Sequence, residues 1–470
     1  MQLFKDMNEV NASYFESAKQ TRKSAEMRQG LSPFEDTVSA DRAEITSTAR
    51  WMSQNIGAID NIDNSIINNS LGLGMMIRSL APTKESAQEI EDKYKRRMDN
   101  KDLYDIRGMN TGVDAERILM NARMTDGDVL VNYVQTDDKI NPLKLQFIET
   151  TNFDTSKYGD NIYSGVEVNQ YGRPSKYHLY NSSNNKQYNL SVEDAILYQK
   201  MSNRFTQYRG ISEYRHIVAN IRHIHRWQNA LLAGSEARAS LPYYVTSNNP
   251  AGLAGKHRKD ANTVQNERLL EINGLSVHYM NKDEELKQLN PSVTGDDYKD
   301  FFVSVMRQIA AGRKISYELA FRDYSMVNFA SSRASLIQDH KTFDYEQLLH
   351  VSYFKNPDFE KWLTAMVMSG NMKSIKPSHY LNNKEEYLKK SWIPPAREWV
   401  DPVKDIISIK EELALGLTTL TREAGKKGRD IDQLIEERQK EKKKFTDAGL
   451  NYPEASEQTE AILSLMETGT

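Results

Sequence analysis

Along the 470-residue chain the spacing of apolar residues changes period several times. From Ala40 to about Gly57, Ile45, Ala49, Met52 and Ile56 recur at helical spacing around Arg42 and Glu44, which the pattern places outward. Lys84 to Met98 and Asp114 to Thr125 read as two more helices. The pattern then turns to short alternating or β-branched runs at 127–134, 143–149, 163–180 and 195–200, punctuated by Gly, Asn and Pro. Within 163–180 the order VEVNQYGRPSKYHLY predicts a hairpin turning near Tyr171 to Pro174, so this middle third is an antiparallel β-rich unit.

Helical period returns from Ile211 to about Leu241, a length of about 45 Å at the α-helical rise. Tyr214, Val218, Ile221, Ile224, Leu231 and Leu232 share its apolar side. Arg215, Arg222 and Arg226 fall within about 40° of one another on the other. Turn-rich sequence occupies 242–295, and a second helix follows over 296–314, with Phe301, Phe302, Val305 and Ile309 on one face and Arg307 and Lys314 on another. Residues 333–353 and 359–370 are helical, 377–405 is broken by prolines, and the C-terminal part is helical again. SLGLGMM at 70–76 reads as a turn. There is no internal repeat.

Composition narrows the function. Hydrophobic residues make up 39% and charged residues 27%, with no apolar run long enough for a membrane span. The N-terminal MQLFKDMNEVNASYF lacks the layout of a secretory signal, so the expectation is a soluble chain used inside a cell. The absence of cysteine excludes disulfides, thiolate nucleophiles and cysteine-bound zinc. A formal charge of −3 makes any nucleic-acid contact local rather than global. Residues 201–245 are such a locality, with six arginines against two acids.

Catalytic motifs are missing. The chain has no phosphate-binding G-x-x-x-x-G-K-[ST] loop, no G-x-S-x-G elbow and no H-E-x-x-H pair. His223 and His225 point about 200° apart on a helix, and His216 with His223 has no third ligand, so no metal and no cofactor are expected. Asp323, Ser325, Ser331 and Ser332, with His340 downstream, contain the residue types of a nucleophile and base, but no spacing fixes their geometry.

These last residues sit in RDYSMVNFASSRAS, residues 322–335. The stretch resembles the most recognisable segment of lambda-type portal proteins of tailed bacteriophages, a Gly-Asp-aromatic-Ser run leading into Val-Asn-Tyr-Ser-Ser-x-Arg. Asp323, Tyr324, Ser325, Val327, Asn328, Ser332 and Arg333 keep the pattern, while Arg322, Phe329 and Ala330 depart from it. AEITSTARWMSQN, GDVLV with LQFIE, GVEVNQYGRPSKYHLY, QYRGIS, IAAGRKISYELAF and EWVDPVKD with GLTTLTREAGKKGRDIDQL agree in order from about residue 43 to 449.

The resemblance implies an α+β, mainly helical portal fold assembled as a closed homo-oligomeric ring, a dodecamer by family habit. Such a ring is implied to carry double-stranded DNA without sequence specificity at one capsid vertex, with no catalysis of its own. Implied segments are an N-terminal arm (1–39), a wing (40–210), stem helix 1 (211–241), a clip (242–295), stem helix 2 (296–314), a tunnel loop or helix with the wing return (315–400), a crown (401–450) and a tail (451–470). Channel-facing candidates are Arg215, Arg222, Arg226, Arg307, Lys314, Arg322, Tyr324, Ser325, Asn328, Ser331 and Ser332. Arg333, Asp323 and Phe329 are candidates for the subunit interface, and Lys256, His257, Arg258 and Lys259 for docking on the clip. Implied partners are the terminase large subunit, major capsid and scaffolding proteins and a head-tail adaptor, with no membrane; the implied place is the virion, after assembly in the host cytoplasm. Two other readings remain open: a hydrolase or nuclease using 322–335, and a DNA-binding head-completion or adaptor protein.

Overall fold

The computed structural model describes residues 34–452 apart from 157–158, 160, 182–185, 202–203, 240–242, 248–283, 289–294, 326, 397–401 and 451. The N-terminal arm up to residue 33, most of the region expected to be the clip, with Lys256, His257, Arg258 and Lys259, and nearly all of the tail lie outside the described residues. The chain forms two compact units, one from residues up to His216 together with those from Ala310 onward, the other from Ile217 to Ile309. Among the described residues both are mainly helical with small antiparallel sheets, and none of these sheets closes into a barrel.

In the larger unit, α1 (Phe34–Asn55) and α2 (Gly57–Ser70) lead to β1 (Met76–Ser79), α3 (Lys84–Asp99), α4 (Lys101–Tyr104) and α5 (Gly112–Asp126). Local chemistry sets the boundaries. Thr83 and Thr111 accept the amides of Ser86 and Asp114 and so cap α3 and α5. Gly127, at φ 103°, ends α5 and turns the chain into β2 (Asp128–Gln135). β2 pairs with β3 (Leu143–Glu149) on one side and, across the sheet, with β8 (Ala195–Gln199) on the other. A second, four-stranded meander comprises β4 (Ile162–Tyr163), β5 (Val166–Val168), β6 (Pro174–Asn181) and β7 (Lys186–Ser191). Its β5–β6 turn lies where the sequence places it: Asn169 Oδ1 accepts the amides of Tyr171 and Arg173, and Gly172 takes φ 76°.

Strand β2 is buried on both faces, because successive side chains of a strand point oppositely. Leu130 packs with Ile148, Phe153, Val166 and Leu179 between the two sheets. Val129 and Val131 face a helical core with Tyr94, Tyr198, Phe354, Phe359 and Trp362. That core is supplied by α3, α5 and a long run of helix: α9 (Phe329–His350), a π-helical turn (Val351–Lys355) and α10 (Asn356–Met368). The Arg97 guanidinium forks onto Asp358 at 2.7 and 2.9 Å beneath this cluster and lies 4.8 Å from the Tyr104 ring centre.

Polar side chains secure the π turn. Lys355 Nζ donates to Glu116 Oε1 at 2.8 Å, His350 Nε2 lies 3.3 Å from Glu116 Oε2, and His350 Nδ1 lies 3.1 Å from the Tyr198 hydroxyl. Burial works against the Glu116 charge, but Lys355 and the His350 hydrogen bond outweigh it and hold the carboxyl at about 2. Burial lowers His350 below 6.5. Both groups bind protons less readily folded than unfolded, so both withdraw stability as pH falls, His350 from 6.5 downward and Glu116 between 4.5 and about 2. The Glu116 share is on the order of 3 kcal/mol. Urea unfolding across this range is expected to show a shallower acid decline in Glu116→Gln than in wild type; superimposable declines would remove the assignment.

A crossing of two glycines joins the sheet to the segment before the second unit. Gly210 donates its amide to Asp128 Oδ2 at 2.8 Å, and Asp128 also takes Arg209 Nε at 2.6 Å and Nη2 at 2.9 Å. A Cβ on Gly127 would sit 2.6 Å from Ile211 Cα, and one on Gly210 would overlap the Gly127 carbonyl. The two stretches GDVLV and QYRGIS are thus two sides of one contact. Arg42, expected outward, is buried here: it donates to Glu35 at 2.7 Å, Ser164 at 2.9 Å and the Gly210 carbonyl at 3.2 Å.

In the smaller unit, α6 (Val218–Ala239) and α7 (Gly295–Gly312) meet where Trp227 stands edge-on to Phe301, ring centres 4.7 Å apart. β9 (Tyr243–Ser247) and β10 (Glu284–Gln288) pair antiparallel. The helix expected over 211–241 is therefore shorter. Ser212 accepts the Tyr214 amide on its hydroxyl and the Arg215 amide on its carbonyl, making a 3-10 turn over Glu213–His216 that belongs to the larger unit. Beyond α7, α8 (Tyr317–Phe321) precedes α9. After α10 come α11 (Pro377–Asn382), α12 (Lys384–Tyr387), β11 (Lys390–Ile393), which pairs with β1, and α13 (Pro402–Ala414), α14 (Leu420–Lys426) and α15 (Ile431–Asp447). No described helix is long and apolar enough to cross a membrane.

Candidate functional site

Within the larger unit, the last turn before Ile217 and the first after Ile309 are tied by charge. Glu213 takes Arg123 at 2.7 Å, Lys200 at 3.3 Å and Arg313 at 3.3 Å. Glu346, one turn before the π segment, takes Arg123 and Lys200, each at 2.5 Å. Asp63, on α2, takes Arg313 at 2.6 Å and the Tyr214 hydroxyl. Three cations thus face three carboxylates, drawn from α2, α5, the residue following β8, the 3-10 turn, the residue following α7 and α9. Burial works against the Glu213 charge, yet Arg123, Arg313 and Lys200 together hold its carboxyl far below the usual range. With every acid committed to a cation, the arrangement is a joint rather than a reactive centre.

None of these six residues is among the sequence candidates. The signal is nevertheless present, in ionisable residues on otherwise buried helix faces. Glu346 and His350 share a face with the fully buried Phe343, and Arg123 follows Leu119 by one turn. What spacing cannot supply is the partner, since Glu213 and Arg313 lie one hundred positions apart.

The stretch 322–335 is organised by its own backbone. Ser316 caps α8 and is gripped by Asp339, which accepts its amide at 2.8 Å and its hydroxyl at 2.5 Å. Asp323 accepts the Ser325 amide and hydroxyl on one oxygen and the Tyr317 hydroxyl on the other. Asn328 caps α9, its Oδ1 accepting the Ser331 amide at 2.9 Å. Asn328→Ala is expected to lower stability by about 1 kcal/mol in chemical denaturation, the usual worth of such a cap. An unchanged midpoint would show the cap to be idle.

Arg322 closes α8 in the left-handed region, at φ 55°. An L-residue is disfavoured there by about 1–2 kcal/mol, which is why glycine suits the position. Arg322→Gly should therefore raise the melting temperature, by the equivalent of about 0.5–1 kcal/mol after the greater freedom of glycine in the unfolded chain is deducted. A lower melting temperature would mean that the arginine side chain outweighs the strain.

The remaining candidates divide. Arg222 and Arg226 are exposed one turn apart on α6. Arg215 does not continue their stripe: it lies in the 3-10 turn of the other unit, half-buried, with Nη1 donating to the Ser212 carbonyl at 2.9 Å. Arg307 is exposed on α7, whereas Lys314 lies beyond that helix at φ 61°, so the two are not a helical pair. Tyr324, Ser325, Asn328 and Ser331 are exposed; Asp323, Ser332 and Arg333 are half-buried. Phe329 begins α9, and its side chain lies outside the described residues. Among the described residues no group of acids and histidines is arranged to hold a metal ion.

Residues 20–347 match the family model for phage portal protein, lambda family. The chain belongs to the lambda family of phage portal proteins. A probable portal protein of Halomonas phage phiHAP-1 is 23% identical over 472 aligned positions, covering 93% of this chain and 88% of the relative. Portal protein B of Escherichia phage lambda is 23% identical over 184 positions, covering 39% and 34%. A chain from the virion of a native gene transfer agent particle aligns with a TM-score of 0.45 at 12% identity, covering 87% of this chain and 98% of that one. The matched region of this portal protein includes all six residues of the joint, the glycine crossing and 322–335. Its function is that of a portal at the capsid vertex.

Proposed function

We propose that this portal protein assembles head to tail into a closed ring, twelve-membered by family habit, through whose hole double-stranded DNA is packaged and later ejected. The observation that carries the reading is the joint. The segment 217–309 leaves and re-enters the larger unit at residues bonded to each other, as suits a paired-helix stem rooted in a wing. The two helices expose Leu232 and Phe301 on surfaces that neighbouring copies would cover. Exposed Arg222, Arg226 and Arg307 give the stem few cations, which favours sliding over gripping, because affinity for a duplex rises with the number of phosphates neutralised.

In this assignment 40–210 and the return after 315 form the wing, 242–295 the clip and 401–450 the crown. The clip would receive the terminase large subunit and a head-tail adaptor, and the outer surface the capsid and scaffolding proteins. The hydrolase reading loses ground because Ser325 and Asn328 are committed to the turn and helix cap beside them. Electron microscopy of the purified protein tests the proposal: rings with a central hole are expected, and a monodisperse monomer at all concentrations would refute it.

A further inference from the structure

Within the described part of the chain, α15 buries none of its residues. Its start is tied to the rest of the larger unit, where Arg78 of β1 pairs with Asp430 at 3.2 Å and with Asp432. Another side of the helix carries Ile431, Leu434, Arg438, Glu441 and Phe445, at alternating steps of three and four residues. That spacing is the seam of a two-helix coiled coil. Ile431, Leu434 and Phe445 are half-buried, and Arg438 and Glu441 are exposed.

The chain turns back onto this seam. Gly449 follows α15 at φ 70°, its amide donating to the Thr446 carbonyl at 3.0 Å and the Leu450 amide to the Phe445 carbonyl at 2.9 Å, a glycine-dependent helix stop. Tyr452 then lies edge-on to Phe445, ring centres 5.6 Å apart, and its hydroxyl donates to Glu441 Oε2 at 3.3 Å. From ring to hydroxyl the tyrosine runs one turn back toward the start of α15. Both residues that it touches are seam positions.

We infer that residues 453–466, which lie outside the described part, are the occupant of the seam: an antiparallel helix packed on α15 of the same chain. Their sequence fits. Pro453 suits the first turn of a helix, and no further proline or glycine follows until Gly469. Equal steps from the Phe445–Tyr452 contact set Arg438 opposite Thr459, Leu434 opposite Leu463 and Ile431 opposite Met466, with Ile462 beside them. Apolar residues thus meet at the far end of the pair and charges in the middle. The same register lays Glu454, Glu457 and Glu460, in a stretch with no base, along residues 437–443, where Arg438, Lys440, Lys442 and Lys443 outnumber Glu437 and Glu441. The hairpin does not depend on the conduit reading. It extends the segment assigned to the crown past residue 450 and closes the seam within one chain instead of leaving it to a neighbouring copy.

The chain has no cysteine, so an introduced pair has no competing thiol. Full-length Leu434→Cys/Leu463→Cys, mildly oxidised, is expected to form an internal disulfide in most chains, read as a faster band on a non-reducing gel and a linked peptide by mass. In Lys440→Cys/Leu463→Cys the first thiol sits about 120° round α15 and about 9 Å further along, and bridging should be about tenfold slower or less. Leu463→Asp, which carries no thiol, should be cut after Glu457 and Glu460 by a glutamate-specific protease about tenfold faster than wild type, because the apolar contact that closes the hairpin is lost. The inference is overturned if the two thiol pairs bridge at equal rates, if Leu434→Cys/Leu463→Cys forms no bridge, or if Leu463→Asp is cut no faster. Bridges that join different chains would also overturn it, by giving the seam to a second copy.

Discussion

Arg313→Met is expected to destabilise the protein by about 3–5 kcal/mol, the range found when one partner of a buried ion pair is removed and the other is left behind. The substitution keeps most of the side-chain volume, so lost packing contributes little. Two acids lose their cation, Asp63 at 2.6 Å and Glu213 at 3.3 Å, and Asp63 is fully enclosed. Burial already pushes the Asp63 carboxyl up, even with Arg313 beside it, so in the variant it would take a proton and soften part of the loss. Glu213 retains Arg123 and Lys200 and should stay ionised. Arg313→Lys, with one ammonium where the guanidinium reaches two acids, should fall between the two. Urea titration of the three proteins checks the order; a methionine variant within about 1 kcal/mol of wild type would show that the joint is dispensable.

Gly210→Ala should be at least as damaging, at about 3 kcal/mol or more, for a reason unrelated to charge. The new methyl would overlap the Gly127 carbonyl and come within 2.9 Å of Asp128 Cβ, and both obstacles belong to a fixed strand start rather than to the end of a flexible side chain. Relief requires the two backbones to part. That would stretch the Gly210 amide bond to Asp128 and disturb the Arg209 fork on the same carboxylate. Gly425→Ala is the matched control, because nothing lies within 4 Å of its added methyl and the residue is in a helix. Thermal melting should separate the two by a wide margin; equal melting temperatures would mean that the crossing yields easily.

Much of the framework was legible because it rests on local periodicity. α3, α5, β2, β3 and the β5–β6 turn fall where alternation, helical spacing and turn residues put them. The errors have a common origin in contacts distant along the chain. The pattern across Tyr214 and Arg215 continues that of α6, so a single helix is the natural reading; Ser212 and the bonds of Glu213 instead fold those residues into a separate turn. The same periodicity carries through to Lys314, which instead lies beyond α7 at φ 61°. Arg42, expected outward, shares a face with the buried Val38, Thr46 and Ala49, and its partners Ser164 and Gly210 are more than a hundred residues away. α2, which the periodic reading passed over, spreads Ile59, Ile62, Ile66 and Ile67 among asparagines and acids whose turn-forming chemistry masks a helix. In 322–335 the residue types are conspicuous, but their first employment is as cap and turn.

The joint also imposes an order on synthesis. As the chain leaves the ribosome, Asp63, Arg123, Lys200 and Glu213 are available long before Arg313 and Glu346, so Glu213 can pair with Arg123 and Lys200 while Asp63 has no cation until the whole intervening segment has been made. At ordinary elongation rates the hundred residues from Glu213 to Arg313 represent a wait of about 5–20 s. During that interval a nascent chain holds a partly formed core in which Asp63 waits for Arg313, and this is the period when it is most open to chaperones and to premature pairing with its neighbours.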